Sequence, residues 1–212
     1  MTVKERLELI LKDVENYNPK IIAVTKYYDE KRMIEAYQAG LRDFAESRAL
    51  DALEKINKID DTMRKQSVYH FIGHLQTNKV KHVVGAFEYI HSIDSSKVAR
   101  CVDEEANKKG IVQKILIQVN NAEESQKFGV QKAQLENLIT EVKSMKSVEL
   151  VGLMNIAPLT DDKKELQRLF LEMRKITDEF HLKELSMGMS HDYKIALECG
   201  ATMIRLGRIL FN

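Results

Sequence analysis

A chain of 212 residues, 44% of them hydrophobic, can bury one sizeable core and reads as a single domain over 1–212. Its 33 Lys and Arg against 32 Asp and Glu leave a net charge of +1, too small a field to gather nucleic acid or an anionic membrane. No apolar run approaches the roughly 18 to 20 residues of a membrane span, and the opening Met1-Thr2-Val3-Lys4-Glu5-Arg6 lacks the apolar centre of a signal peptide, so a cytoplasmic address is expected.

The first element is a helix over 2–17 with Val3, Leu7, Ile10, Leu11 and Val14 on one face, read as an extra N-terminal helix packed on the rest. After it, strand candidates at 21–27 and 43–47 alternate with helices at 30–39 and 48–59. Strands at 69–73 and 89–94 lead to a helix at 95–108, a strand at 115–120 and a helix at 132–146. A strand at 150–156, a helix at 161–180, a strand at 185–190, a helix at 193–198 and a strand at 203–207 close the series. Asp29 and Asp161 are expected to cap the helices they precede. Eight strand–helix units with neither GxGxxG nor GxxxxGK[ST] predict a closed (β/α)8 TIM barrel rather than an open, doubly wound sheet. Cys101 and Cys199, lacking metal-ligand spacing, read as structural thiols, and no metal site is expected.

In such a barrel the chemistry sits where the strands end. The first strand delivers Lys26 straight after an apolar run, where burial would favour the neutral amine, the nucleophile a carbonyl compound needs. The seventh ends Ser-Met-Gly-Met-Ser190, and the eighth reads Met-Ile-Arg205-Leu-Gly207-Arg208. Ser190, the free N–H groups of the following turn and the open backbone at Gly207 match the barrel phosphate site formed after strands seven and eight. Strands one and eight are neighbours in a closed barrel, so lysine and cradle share one mouth. A lysine that condenses with an aldehyde beside a phosphate cradle describes pyridoxal phosphate held as a Schiff base. A Schiff-base aldolase acting on a phosphorylated sugar without a cofactor would use the same lysine. Arg205 pointing into the mouth would meet the pyridine nitrogen and leave it unprotonated, which limits carbanion chemistry; its plainer reading is an interior salt bridge. His70 and His74 invite a general-base or metal reading, but a strand bending into a loop gives them no shared face.

Across nearly the whole chain the sequence resembles the pyridoxal phosphate homeostasis proteins, the YggS/PROSC family, whose fold is similar to the N-terminal barrel of alanine racemase. The resemblance rests on Ile-Ala-Val-Thr-Lys at 22–26, His-Phe-Ile-Gly-His-Leu-Gln-Thr-Asn-Lys at 70–79, Ile-His-Ser-Ile-Asp at 90–94 and Lys-Phe-Gly at 127–129. It continues through Gly-Leu-Met-Asn-Ile-Ala-Pro at 152–158, Leu-Ser-Met-Gly-Met-Ser-His-Asp at 185–192 and Gly-Ala-Thr-Met-Ile-Arg-Leu-Gly-Arg at 200–208. It implies Lys26 as the Schiff-base lysine, Ser190 with the backbone of Gly207 and Arg208 as phosphate ligands, Arg205 at the pyridine nitrogen, and Met154 and Met187 lining the pocket. Where the family pattern has Phe-Gly-Glu-Asn, this chain has Phe44-Ala45-Glu46-Ser47, which places a shorter side chain, Ser47, in reach of the cofactor.

The function expected is intracellular buffering or delivery of pyridoxal phosphate by a monomer, with pyridoxal phosphate-dependent apoenzymes as recipients and no established catalytic residue. A pyridoxal phosphate-dependent amino-acid racemase or lyase is the alternative, in which Tyr27, Tyr28, His70 and His74 are the candidate acids. A bare interaction module has no sequence feature in its favour.

Overall fold

The computed structural model describes residues 1–122 and 128–212, which leaves Lys127 of the Lys-Phe-Gly motif outside the described residues. The chain opens with α1 (Val3–Val14), whose Thr2 hydroxyl accepts the Glu5 N–H while the Glu5 carboxylate accepts the Thr2 N–H. Val3, Leu7, Ile10 and Val14 are buried, but Leu11 is exposed, so the apolar face is narrower than the sequence pattern suggested.

The strands follow as β1 (Lys20–Val24), β2 (Asp43–Glu46), β3 (Val68–Phe71), β4 (Tyr89–Ile93), β5 (Gln113–Val119), β6 (Val148–Asn155), β7 (Glu184–Met189) and β8 (Met203–Leu206). They form one closed barrel in sequence order, every pair parallel, with β8 returning to β1 through Lys20↔Met203 to Ala23↔Leu206. The expected (β/α)8 architecture is therefore the observed one.

Helices α2 (Glu30–Gln38), α3 (Ala49–Asn57) and α4 (Asp61–Gln66) fill the first crossovers, and α5 (Val80–Val83) follows a short 3-10 turn at Thr77–Lys79. Then come α6 (Ser96–Lys109), α7 (Lys132–Lys143), α8 (Lys163–Glu179), α9 (Tyr193–Glu198) and α10 (Arg208–Phe211). The pattern had not shown α4 and α10, which are too short for helical periodicity to register, whereas α5 is the helix expected to follow Gln76, Asn78 and Lys79. Asp29 caps α2 as expected, whereas Asp162 rather than Asp161 caps α8, its carboxylate accepting the N–H groups of Lys164 and Glu165.

Strand alternation sorts the side chains. Ala23, Phe44, Phe71, Ile90, Leu153, Leu185 and Ile204 join the helices in the main apolar core, while Ile22, Ala45 and Met203 pack together within the barrel. Glycine marks where backbone meets backbone. A Cβ on Gly152 of β6 would stand 1.9 Å from the Glu184 carbonyl oxygen. Gly152→Ala is expected to destabilise the fold by about 2 to 3 kcal/mol through forced separation of β6 and β7, read as a lower urea midpoint.

Candidate functional site

The C-terminal ends of β1, β7 and β8 open on a cleft of about 450 Å³ whose wall includes Lys26, Met189, Ser190, Arg205, Gly207 and Arg208. Barrel closure thus brings the first strand's lysine and the last two strands' serine and glycine to one mouth.

Lys26 does not sit as the sequence suggested. β1 stops at Val24, the chain turns on a hydrogen bond from the Tyr28 N–H to the Thr25 carbonyl at 2.9 Å, and Lys26 stands exposed at the rim with its Nζ 5.0 Å from the centre of the Tyr27 ring. Burial, the cause expected to neutralise its amine, is therefore missing. Its backbone position is nonetheless tightly set. The Thr25 hydroxyl donates to Glu46 at 2.7 Å, and Lys55 Nζ donates both to the Thr25 carbonyl at 2.7 Å and to Glu46 at 2.5 Å. On the other side the Tyr28 ring packs at a tilt against Phe211, centroids 4.6 Å apart, and its hydroxyl donates to Asn212.

The cradle is built on Ser190, whose hydroxyl oxygen accepts the N–H groups of Gly207 and Ile209, each at 3.3 Å. Asp192 folds the turn behind it by accepting the Met189 N–H at 2.6 Å. A Cβ on Gly207 would meet nothing closer than Val24 at 3.5 Å, so the protein's own packing does not require glycine there; the missing side chain keeps the mouth open beside the cradle.

Arg205 lines the same cleft from the barrel interior. Among the described residues it makes no interior salt bridge: its Nη1 donates to the Ser186 hydroxyl at 2.7 Å and its Nη2 to the Asn155 carbonyl at 2.8 Å. Burial lowers its pKa to about 10, with Asp192 pulling the other way, so the guanidinium stays charged at neutral pH.

Ser47, Met154 and Met187 lie outside the wall of this cleft. Met187 packs into the main apolar core instead. Ser186 faces inward and Met187 outward by ordinary alternation; Gly188, at φ +88°, then breaks the register of β7, so that Met189 reaches the mouth. Only glycine fits at 188, where a Cβ would lie 2.7 Å from Ala196.

His70 and His74 do part company. His74 stacks on Phe128 at 3.8 Å and lies 3.3 Å from Asp94, whereas His70 is sealed inside the barrel between Asp43 and His91. Both have an acidic neighbour that is distant in sequence, so sequence proximity missed it. Asp43, His91 and Ser186 also escaped notice as interior groups. The available signal was a polar residue interrupting apolar ones in mid-strand, singly in Tyr69-His70-Phe71, Leu185-Ser186-Met187 and Ile204-Arg205-Leu206 and as a pair in Ile90-His91-Ser92-Ile93.

The alanine racemase N-terminal domain pattern matches residues 2–212. A protein named pyridoxal phosphate homeostasis protein in Aquifex aeolicus is 36% identical over 199 residues, covering 91% of this chain and 86% of that one. PipY of Synechococcus elongatus, solved without pyridoxal phosphate, superposes with a TM-score of 0.93 at 34% identity over the whole of both chains. The PipY structure described as having pyridoxal phosphate bound gives 0.90 at 33% identity, again over both whole chains.

Two stability predictions follow from the buried polar groups. Lys55→Met leaves Glu46 buried without its cation and should cost about 3 kcal/mol in chemical denaturation. Burial holds the pKa values of His70 and His91 below the ordinary histidine value, with Asp43 opposing at His70. The unfolded chain therefore takes up protons that the folded one refuses. Stability from this source is fully present above pH ~6.5 and is lost as pH falls, by up to about 1.4 kcal/mol per pH unit for each histidine, measurable as urea midpoints at pH 7.5 and 5.5.

Proposed function

We propose, from the premise that this chain belongs to the pyridoxal phosphate homeostasis protein family of alanine racemase N-terminal barrels, that it binds pyridoxal 5'-phosphate covalently through Lys26 and buffers or delivers it. The observation that carries the reading is the shared mouth. An amine, a hydroxyl–amide cradle and a buried guanidinium, from opposite ends of the chain, line one cleft of about 450 Å³. The family relationship, and the pyridoxal phosphate described in the related PipY structure, support the same ligand.

The residues present fit that ligand. Lys26 offers the amine that an aldehyde condenses with. Ser190, with the Gly207 amide its hydroxyl already meets and the cation of Arg208 next along the chain, offers charge and donors to a phosphate. Arg205 offers a donor that keeps its proton to the ring nitrogen. When bound, the cofactor would supply an electron sink, and an arginine rather than a carboxylate at the ring nitrogen keeps that sink weak. That chemistry suits holding and transfer better than turnover. Ser47, Met154 and Met187, outside the wall of the cleft, are left without a direct contact to the ligand. Buffering would take place in the cytoplasm, by a monomer, with pyridoxal phosphate-dependent apoenzymes as recipients.

Reduction of the loaded protein with borohydride and mass analysis of its peptides should place a pyridoxyl group on Lys26. Lys26→Ala should lose it, and Ser190→Ala should weaken binding about tenfold. A label on another lysine sinks the assignment. Brisk turnover across a panel of L- and D-amino acids would favour the racemase or lyase alternative.

A further inference from the structure

Five polar side chains from five strands join end to end across the barrel interior. Arg205 on β8 donates to the Ser186 hydroxyl on β7 at 2.7 Å. Ser186 Oγ lies 3.0 Å from His91 Nδ1 on β4, His91 Nε2 lies 2.9 Å from His70 Nδ1 on β3, and His70 Nε2 lies 2.9 Å from Asp43 on β2. Asp43 opens its strand at the barrel floor, opposite the mouth, with Lys20 of β1 at 3.9 Å.

The two ends dictate the direction of every link. A guanidinium can only donate, and a carboxylate can only accept. His70 must therefore carry its proton on Nε2 to serve Asp43, which leaves its Nδ1 as an acceptor. His91 must then carry its proton on Nε2 to serve His70, and its bare Nδ1 takes the Ser186 hydroxyl hydrogen. Ser186 Oγ is left to accept from Arg205. With both rings neutral, this is the one proton arrangement that satisfies the whole chain.

We infer that Asp43, His70, His91 and Ser186 are positioning residues, forming a one-way donor relay that holds Arg205 at the mouth and couples it to the state of Asp43 at the floor. Only what Arg205 faces in the mouth rests on the function proposed above; the relay itself does not. The charged and titratable groups that face the two rings are Asp43, His91, Lys20, Glu88 and Tyr89 around His70, with Tyr89 stacked at 4.7 Å, and His70, Tyr89, Lys20 and Arg205 around His91. Burial depresses both imidazolium forms, which keeps the rings neutral as the relay requires.

Long-range nitrogen–proton NMR on histidine-labelled protein, with no cofactor added, reads the relay directly. At pH 7 both His70 and His91 should carry the proton on Nε2 and none on Nδ1. Asp43→Ala should redistribute the proton on His91, a ring Asp43 does not touch, while Asp43→Asn, which keeps a carbonyl acceptor, should restore the wild-type signals. Ser186→Ala should move His91 Nδ1 toward the position of an unbonded imidazole nitrogen and leave His70 in place; it also serves if Asp43→Ala fails to fold. An Nδ1 proton or an imidazolium on either ring of the wild-type protein overturns the relay, as does a His91 signal unmoved by Asp43→Ala or by Ser186→Ala. On protein loaded with pyridoxal phosphate, Asp43→Ala should shift the pH profile of the bound cofactor's absorbance while the borohydride label stays on Lys26; an unshifted profile refutes the coupling to the mouth. A wild-type protein that takes no label refutes the cofactor reading alone, because the cofactor-free spectra still decide the relay.

Discussion

A charged guanidinium inside a barrel has to be answered, and most of what is unusual in this molecule follows from how Arg205 is answered. A buried cation without acceptors would cost several kcal/mol, so the strands around it must present oxygen where an ordinary barrel would present valine or leucine. Ser186 and the Asn155 carbonyl do so. Ser186 in turn needs an acceptor for its own hydrogen, His91 supplies it, and the demand passes strand by strand until Asp43 ends it near solvent. The apolar filling inside the strands is reduced to a small group around Ile22, Ala45 and Met203. Stability then comes mainly from the layer between strands and helices, where Phe44, Phe87, Phe170 and Ile90 are fully buried.

The architecture was legible because eight short apolar segments, spaced by helical stretches, leave few alternatives, and each of the eight was found within a few residues of its true bounds. Ends were less legible than middles. The first strand was expected to run to Tyr27, yet it stops at Val24, where the Thr25 carbonyl is taken by Lys55 and the Tyr28 N–H, and that early stop carries Lys26 out of the sheet. Short helices such as α4 and α10 hold too few residues to display a period.

At the site, residue types were legible and surroundings were not. Lys26, Ser190, Arg205, Gly207 and Arg208 do line one cleft. The two methionines were expected at the pocket from the family resemblance; neither lines the cleft, and on β7 it is Met189, beyond the positive-φ Gly188, that does. Partners distant in sequence were invisible for the same physical reason: Asp43 meets His70, and Lys55 meets Glu46, only after the strands have closed. Sequence shows which groups need company, and closure decides who provides it.

The seam between β1 and β8 also orders events in time. A ribosome delivers Lys26 early and the groups that complete its mouth some 180 residues later by position, as far as Gly207. The nascent chain thus carries an unguarded lysine until its last strand slots in beside its first. Such a long-range closure is slow compared with local helix formation. The cleft between first and last strands is therefore assembled only after the whole barrel has been translated.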